Sequence, residues 1–498
     1  MEKHSILSST SFGRRVAEEE IEQLASYFVE TDHWKRLFSG EIDIVYGAKG
    51  SGKSALYSLL LSKASEFKAS GILFVAAENP RGAPAFKDLL LDPPATEREF
   101  VNLWKLYFAA LLHGLLDDNG IKNKYTNEIG ASLQREGLVR GSLTLSGILS
   151  SVIGYVKRAL RPKELEAGIE IDPITQLPVG FNGKIIFSEP TSTSGDTELR
   201  SVDRLLELVN LALLESNKTA WIMLDRLDVA FADNLELEAS ALRALFRVYL
   251  DLLSNSQIQL KIFLRSDIWD RITAAGFREA SHITRHLTVN WNRNSLLSLV
   301  VRRLLHNPDV CNAYEVGEAL GREGIATQEA FIYRVFPDQV DTGINKPNTI
   351  DWLLSRTRDG SRVNAPRELI HYMNCLRNAQ VNRFELGSEP LPDKSHLFAR
   401  ITFKEALPEV SKVRLEQTLY AENPSLKPWL EALRGEKTSQ TPATLSLIWG
   451  TNEDEAVQRA TSLVEVGFFE KRGSRQAPEY WVPFLYRDAL DLVQGSAE

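Results

Sequence analysis

The run Gly47-Ala48-Lys49-Gly50-Ser51-Gly52-Lys53-Ser54 combines glycines, a cation and a hydroxyl at a spacing that suits a bound triphosphate. Glycines let the backbone curl until successive N–H groups point inward at phosphate oxygens. A helix from Gly52 onward aims its positive end at the same oxygens. Lys53 is then placed for the β- and γ-phosphates of ATP, and the Ser54 hydroxyl for Mg²⁺. Trp221-Ile-Met-Leu-Asp225 is an apolar run ending in an acid, which would hold Mg²⁺ opposite Ser54, directly or through water. The next position, where a glutamate often activates the attacking water, is Arg226, so the following carboxylate, Asp228, is the candidate general base. Its alternative role is a salt bridge or a helix cap.

Two arginines complete the set. Arg265 ends the run Leu260–Arg265, where a guanidinium can reach the γ-phosphate and report its presence. The alternative is an ion pair with Asp267 or Asp270. Arg367 follows Pro366 at a helix start, from which a lid would bring it to the phosphates; the alternative is a surface pair with a neighbouring acid. His282 and His286, with Glu279 nearby, have the helical spacing of zinc ligands. Ile283 and Leu287 make the same segment read equally well as a strand.

These residues need a scaffold. Ile42, Ile44, Val45 and Tyr46 supply a buried strand before the glycine loop, and Ala55, Leu56, Leu59 and Leu60 the packed face of a helix after it. Further strands are predicted at 72–76, 221–225 and 260–265, with amphipathic helices around Val202–Leu213 and Leu242–Leu253. That alternation predicts an α/β fold: a parallel sheet with helices on both faces. Residues 1–40 form a mixed-charge helical lead-in, expected to run into the sheet and pack near the nucleotide.

The core occupies 41–290, with an insertion at about 80–200. A capping box at Thr96-x-x-Glu99 opens a buried helix there. Residues 117–200 are Gly/Ser-rich and irregular, with strands at Ala167–Ile171 and Lys184–Phe187. Leu143–Leu160 suits either a membrane-surface helix or a helix packed on its own domain. Residues 291–394 form a helical lid and 395–435 a helical connector. In 436–498, helices at 442–449 and 453–466 followed by a hairpin, 468–472 with 479–482, read as a winged helix.

Composition sets bounds. A chain of 498 residues can bury several cores, and its net charge of −8 argues against a dominant nucleic-acid footprint. Cys311 and Cys375 stand far apart without metal spacing, which points away from a disulfide scaffold and toward a reducing cytoplasm. No apolar run reaches membrane-spanning length, and the first residues lack a signal-peptide core.

Taken in order, the glycine loop, Leu224-Asp-Arg-Leu-Asp228, Lys261-Ile-Phe-Leu-Arg-Ser-Asp267 and Ala365-Pro-Arg-Glu-Leu-Ile370 resemble bacterial P-loop ATPases related to the AAA+, STAND and KAP groups. The nearest shape is that of archaeal origin-recognition initiators. The resemblance covers about 41–80 and 200–498. It implies a P-loop NTPase (ASCE/AAA+-like) parallel sheet with a helical lid and a C-terminal winged-helix domain. It makes Gly47–Ser54 the Walker A motif, Asp225 the Walker B acid, Arg265 a sensor and Arg367 the lid sensor. KAP-type proteins carry an acid where this chain has Arg226, which implies slow hydrolysis. Many such relatives stand beside bacteriophage-defence genes, so that role is implied by analogy.

The expected function is a regulatory ATPase that uses ATP and Mg²⁺ as a nucleotide-dependent switch for a protein partner or for self-assembly. An arginine finger from a neighbouring subunit has Arg285, Arg302 and Arg303 as equal candidates. The alternative is a DNA-binding initiator or loader acting through the winged helix. Against it, Asn452-Glu453-Asp454-Glu455 sets three carboxylates at the would-be recognition helix, although Lys471, Arg472 and Arg475 on the wing suit phosphates. A phosphoryl-transferring kinase is the weaker third class.

Overall fold

A computed structural model describes residues 2–14, 20, 24, 28, 32–78, 96–135, 138, 145–160, 186–187, 200–227, 234–274, 276–393 and 395–497. The chain divides into two compact units. One is Asp32–Gly47 with Lys53–Val289; the other is Met1–Thr31, Ala48–Gly52 and Asn290–Glu498.

The first unit is built on a five-stranded parallel sheet: β1 (Ile44–Gly47), β2 (Ile72–Ala76), β3 (Thr219–Leu224), β4 (Ile258–Arg265) and β5 (His286–Val289), in the order β2-β3-β4-β1-β5. All four ladders are parallel. Consecutive strands must therefore be joined by crossovers, which the helices supply. Those helices include α1 (Lys53–Ser62), α2 (Glu97–Asp118), α3 (Val202–Glu215) and α4 (Leu235–Leu252). β4 lies between the strand that feeds the glycine loop and the strand that ends before Asp225. With that loop leading into α1, the topology is that of a P-loop NTPase.

Helix α2 falls inside the stretch expected as an insertion, yet it is a core element. Phe100, Leu103, Trp104, Tyr107 and Leu112 are buried in the same apolar cluster as the sheet. The Trp104 indole N–H donates to the Ala241 carbonyl at 2.9 Å, and the Tyr107 hydroxyl to the Ala77 carbonyl at 2.8 Å. Thr96 caps α2 by accepting from the Glu99 N–H at 3.2 Å. The helix Leu145–Leu160 buries Leu149, Val152, Ile153 and Val156 against this core, so its apolar face belongs to its own domain rather than to a membrane surface. The span 117–200 is also less irregular than its composition suggests, since Lys124–Arg135 is helical. Ile186–Phe187 pairs with Arg200–Ser201, while the strand expected at Ala167–Ile171 lies outside the described residues. Among the described residues no helix is long and apolar enough to cross a membrane.

Burial holds the phenols of Tyr46, Tyr57, Tyr107 and Tyr249 well above their usual pKa. A raised phenol contributes stability that is complete below pH ~10 and is lost as pH climbs from there toward the folded value. Melts followed by circular dichroism and tyrosinate absorbance should show unfolding and ionisation rising together above pH 10. Full ionisation near pH 10 in a still-folded chain would contradict this.

The second unit is helical and then mixed. Its helices include α5 (Arg293–Leu305), α6 (Thr349–Arg356), α7 (Pro366–Glu385) and α8 (Leu407–Arg414), the last continuing into a π-helical turn, Leu415–Tyr420. The N-terminal helix Lys3–Ser9 packs here: Ile6, Leu7 and Phe12 join the core of α5 and α7, and Arg303 pairs with Glu20 at 2.7 Å. The lead-in was expected to pack near the nucleotide. Its first apolar residues belong to this helical core, the helix Asp32–Phe38 leads into the sheet, and Val16, Ile21 and Ala25 between them lie outside the described residues. Arg303 is committed to that internal pair, and Arg302 bonds the Gly321 carbonyl at 3.0 Å.

The C-terminal segment runs β6 (Lys437–Gln440), α9 (Pro442–Trp449), α10 (Glu453–Glu465), β7 (Glu470–Gly473), β8 (Pro478–Trp481) and β9 (Val493–Ser496). Its sheet order is β9-β6-β8-β7. The two predicted helices and the hairpin β7–β8 are present, flanked by two short polar strands that sequence periodicity did not signal. The segment is fastened to the helices before it. The Gly360 N–H donates to the Gly467 carbonyl at 2.7 Å, and a Cβ on Gly360 would stand 2.3 Å from the Phe469 carbonyl oxygen. Arg414 of α8 bonds Glu368 of α7 at 3.1 Å and the Tyr486 hydroxyl at 3.3 Å. Guanidinium and ring then alternate: Arg356 lies between Trp352 and Phe484, Arg487 between Phe484 and Trp481, and Arg472 over Trp481.

Candidate functional site

The sheet register sets the site. Gly47 at the end of β1 pairs with Arg265 at the end of β4, and Leu224 at the end of β3 pairs with Ile262. Gly47, Asp225 and Arg265 therefore share the carboxyl edge of the sheet, where a parallel sheet places its ligands. Past Gly47 the chain turns through Gly50 at φ +76° and Gly52 at φ +96°, a left-handed backbone that glycine adopts without steric cost. The Lys53 ammonium donates to the Gly47 carbonyl at 2.9 Å. Ser54 follows in the first turn of α1.

The loop's middle packs within the second unit. A Cβ on Gly50 would lie 3.2 Å from Cβ of Arg367 and 3.3 Å from Cβ of Ala365, so this glycine admits the start of α7. Lys49 pairs with Glu422, and the Trp291 indole N–H donates to the Ser51 carbonyl at 2.7 Å. Arg367, inferred from a Pro-Arg step more than 300 residues downstream, is thus beside the glycine loop.

Asp225 is 6% exposed, and the residue after it, Arg226, has φ +58°. That left-handed turn costs a non-glycine residue of order 1 kcal/mol and breaks the chain away from the strand at the acid. Asp228 lies outside the described residues. Arg265 forms a two-point ion pair with Asp267, at 3.0 and 2.8 Å. Burial of the Asp267 carboxyl opposes its ionisation, but the Arg265 hydrogen bonds outweigh that and hold its pKa below the usual range. A sensing role for Arg265 would require it to leave this pair. A hydroxyl on Ser54 and a buried carboxylate on Asp225 are the hard oxygen donors that Mg²⁺ takes.

His282 ends a short 3-10 turn and His286 opens β5, so the two stand on different elements. The strand alternative holds from His286 and not at His282 or Ile283, and no metal-binding group of three His, Cys, Asp or Glu occurs among the described residues.

Sequence reading missed one acid. Glu78 follows β2 by two residues and is 1% exposed. The Ala77 N–H donates to the Met223 carbonyl at 2.9 Å, continuing the β2–β3 ladder in which Ala76 pairs with Met223. Carried two residues on, that register sets Glu78 beside Asp225. Burial first, then the charges of Asp225 and Glu78, push up the phenol pKa of Tyr57 on α1. The signal was present in Ile-Leu-Phe-Val-Ala-Ala-Glu78, an apolar strand ending in an acid just like the one before Asp225.

No protein-family model matches the chain, and no curated protein matches it. Among solved structures it is similar to the ORC2 protein of Aeropyrum pernix in ADPNP–ADP complexes. The identity is 12%, covering 95% of this chain and 92% of that one, with a TM-score of 0.34. It is also similar to Cdc6p of Pyrobaculum aerophilum, at 12% identity over 98% of this chain and 96% of that one, with a TM-score of 0.27. At these scores the likeness lends no function to this chain.

Proposed function

We propose that the protein binds Mg·ATP at its glycine loop, hydrolyses it slowly, and uses the bound state as a switch read by a protein partner. The observation that carries this reading is the shared carboxyl edge of β1, β4 and β3, which ends in Gly47, Arg265 and Asp225. Lys53 neutralises phosphate charge, and the loop N–H groups and the α1 N-terminus fix the phosphate tail. Ser54 and Asp225 hold Mg²⁺, which supplies charge stabilisation at the phosphates. Arg367, beside Gly50, is the residue whose position depends on whether phosphate fills the loop. At ATP about a thousandfold above Kd, binding can bias such a rearrangement by up to ~4 kcal/mol. The bonds from α7 through Arg414 to the C-terminal segment would carry that bias outward.

The test is product analysis. Incubation with Mg·ATP should yield ADP and free phosphate in equal amounts, with no phosphorylated acceptor, and chelation should stop it. ATP bound by neither filter nor fluorescence assay would end the proposal. Exposed Lys471 and Arg475 on the β7–β8 hairpin favour a second reading, DNA binding by a winged helix. The exposed Glu453, Asp454 and Glu455 at the start of α10 oppose it. Tight, steeply salt-dependent mobility shifts would support the DNA reading over the protein-partner switch.

A further inference from the structure

We propose that Glu78 is the general base of hydrolysis, supplying from the end of β2 the carboxylate that Arg226 leaves missing after Asp225. The inference rests on the ATP reading above and deepens it.

The backbone makes the argument first. Strands β2 and β3 are hydrogen-bonded neighbours, and their ladder persists past β2 through the Ala77 N–H to the Met223 carbonyl, at 2.9 Å. The Tyr107 hydroxyl clamps the same residue from the other side, donating to the Ala77 carbonyl at 2.8 Å. Ala77 is therefore fixed at both its N–H and its carbonyl, and the next side chain, Glu78, is held at the level of Asp225. A base needs a fixed position more than a flexible reach, because proton transfer operates over hydrogen-bond distance. Asp225 directly follows a strand whose last residue pairs with Ile262, and Glu78 follows β2 by two residues, so both acids stand within two residues of a strand end.

The surroundings fit the role. Glu78 is 1% exposed and Asp225 6%. Tyr57, on the helix that begins at Lys53, is 2% exposed, and after burial the charges of Asp225 and Glu78 both raise its phenol pKa. Its hydroxyl is buried with no hydrogen-bond partner among the described residues. A buried O–H without a partner costs roughly 1–3 kcal/mol unless something polar reaches it. A water or a phosphate oxygen is such a group. Burial keeps the Tyr57 phenol protonated, so it remains a donor across the whole working pH range.

The step balances with the groups present. The oxygen of a water bonds to the γ-phosphorus, and the bond from phosphorus to the bridging oxygen breaks, leaving on ADP. The water proton passes to the Glu78 carboxylate, and the products are ADP and inorganic phosphate. Asp225 stays with the cation while Glu78 turns over its proton, two roles for two acids of different placement.

The experiment measures Mg·ATP affinity and turnover side by side in the full chain. Glu78→Gln should lower kcat by 10²- to 10⁴-fold, keep Kd for Mg·ATP within about threefold, and remove the acid limb of the pH–rate profile. Glu78→Asp, which keeps a carboxylate one methylene shorter, should recover part of the rate. Turnover within about threefold of the parent in Glu78→Gln would overturn the assignment. So would a loss of ATP affinity matching the loss of rate, which indicates a structural or metal-holding role. If Asp228→Asn stops turnover while Glu78→Gln does not, Asp228 is the base. A parent protein that binds Mg·ATP without hydrolysing it also refutes Glu78 as base, whereas one that fails to bind refutes the ATP reading itself.

Discussion

Lys53→Ala should raise the Kd for Mg·ATP by 10²- to 10³-fold while leaving the melting temperature unchanged within a few degrees. Hydrogen bonds from a charged donor contribute about 1.5–3 kcal/mol each. Lys53 is positioned for the β- and γ-phosphates, so two such bonds amount to roughly 3–6 kcal/mol, of which the expected change in Kd asks for the lower part at about 1.4 kcal/mol per factor of ten. In the present structure the half-buried Lys53 donates to the Gly47 carbonyl at 2.9 Å. Losing that one bond costs folding about 1.5–3 kcal/mol at most, which is a few degrees in a unit of this size. Isothermal calorimetry with a circular-dichroism melt on the same sample separates the two effects. Unchanged affinity would show that the glycine loop does not hold the phosphates, and every role given to Ser54, Asp225 and Arg367 would fall with it.

What the sequence disclosed follows from how local each signal is. The strand into Gly47, the helix from Lys53 and the acid at 225 are each written within a dozen residues, and each stands where expected. Helices at 442–449 and 453–465 carry their own caps, Thr441 and Asn452, and were equally legible. The pairings that need distant chain were hidden. Glu78 comes just past a strand end as Asp225 does, but only the β2–β3 register, carried two residues on, sets the two acids side by side. Helix α2 looks like an inserted element because residues 79–95 separate it from β2; its Trp104 and Tyr107 reach Ala241 and Ala77, contacts that no periodicity encodes. The same holds for Gly360, whose missing side chain makes room for the backbone of Phe469. It holds too for Ile6 and Leu7, apolar residues whose helix packs on α7, more than 350 positions away.

The amino end of the sheet carries the largest stability effect we expect. Asp43, 2% exposed, accepts from the Lys261 ammonium at 2.7 Å and the Tyr249 hydroxyl at 3.2 Å, and pairs with Arg285 at 2.9 Å. Lys261 is fully buried on β4, where it also meets the Ile42 carbonyl at 2.7 Å and lies over the Trp221 ring. Asp43→Ala removes the one carboxylate and leaves the buried ammonium with carbonyls and a ring, so it should cost about 3–5 kcal/mol. Asp43→Leu combined with Lys261→Met should recover most of that, because two apolar side chains dispense with both desolvation penalties. Burial pulls the Lys261 pKa down to about 8, against the Asp43 charge, which raises it. A lysine depressed in the folded state holds fewer protons than in the unfolded chain, so parent stability should rise from pH 8 toward ~10, by at most ~1.4 kcal/mol per unit. In Asp43→Ala the ammonium loses its counter-charge and deprotonates at lower pH, so the penalty measured at pH 7 should shrink markedly by pH 9. Urea titrations at both pH values give the comparison. Equal destabilisation at pH 7 and pH 9, or a double variant no more stable than Asp43→Ala, would mean that the cost lies in packing around Asp43 and not in the stranded charge.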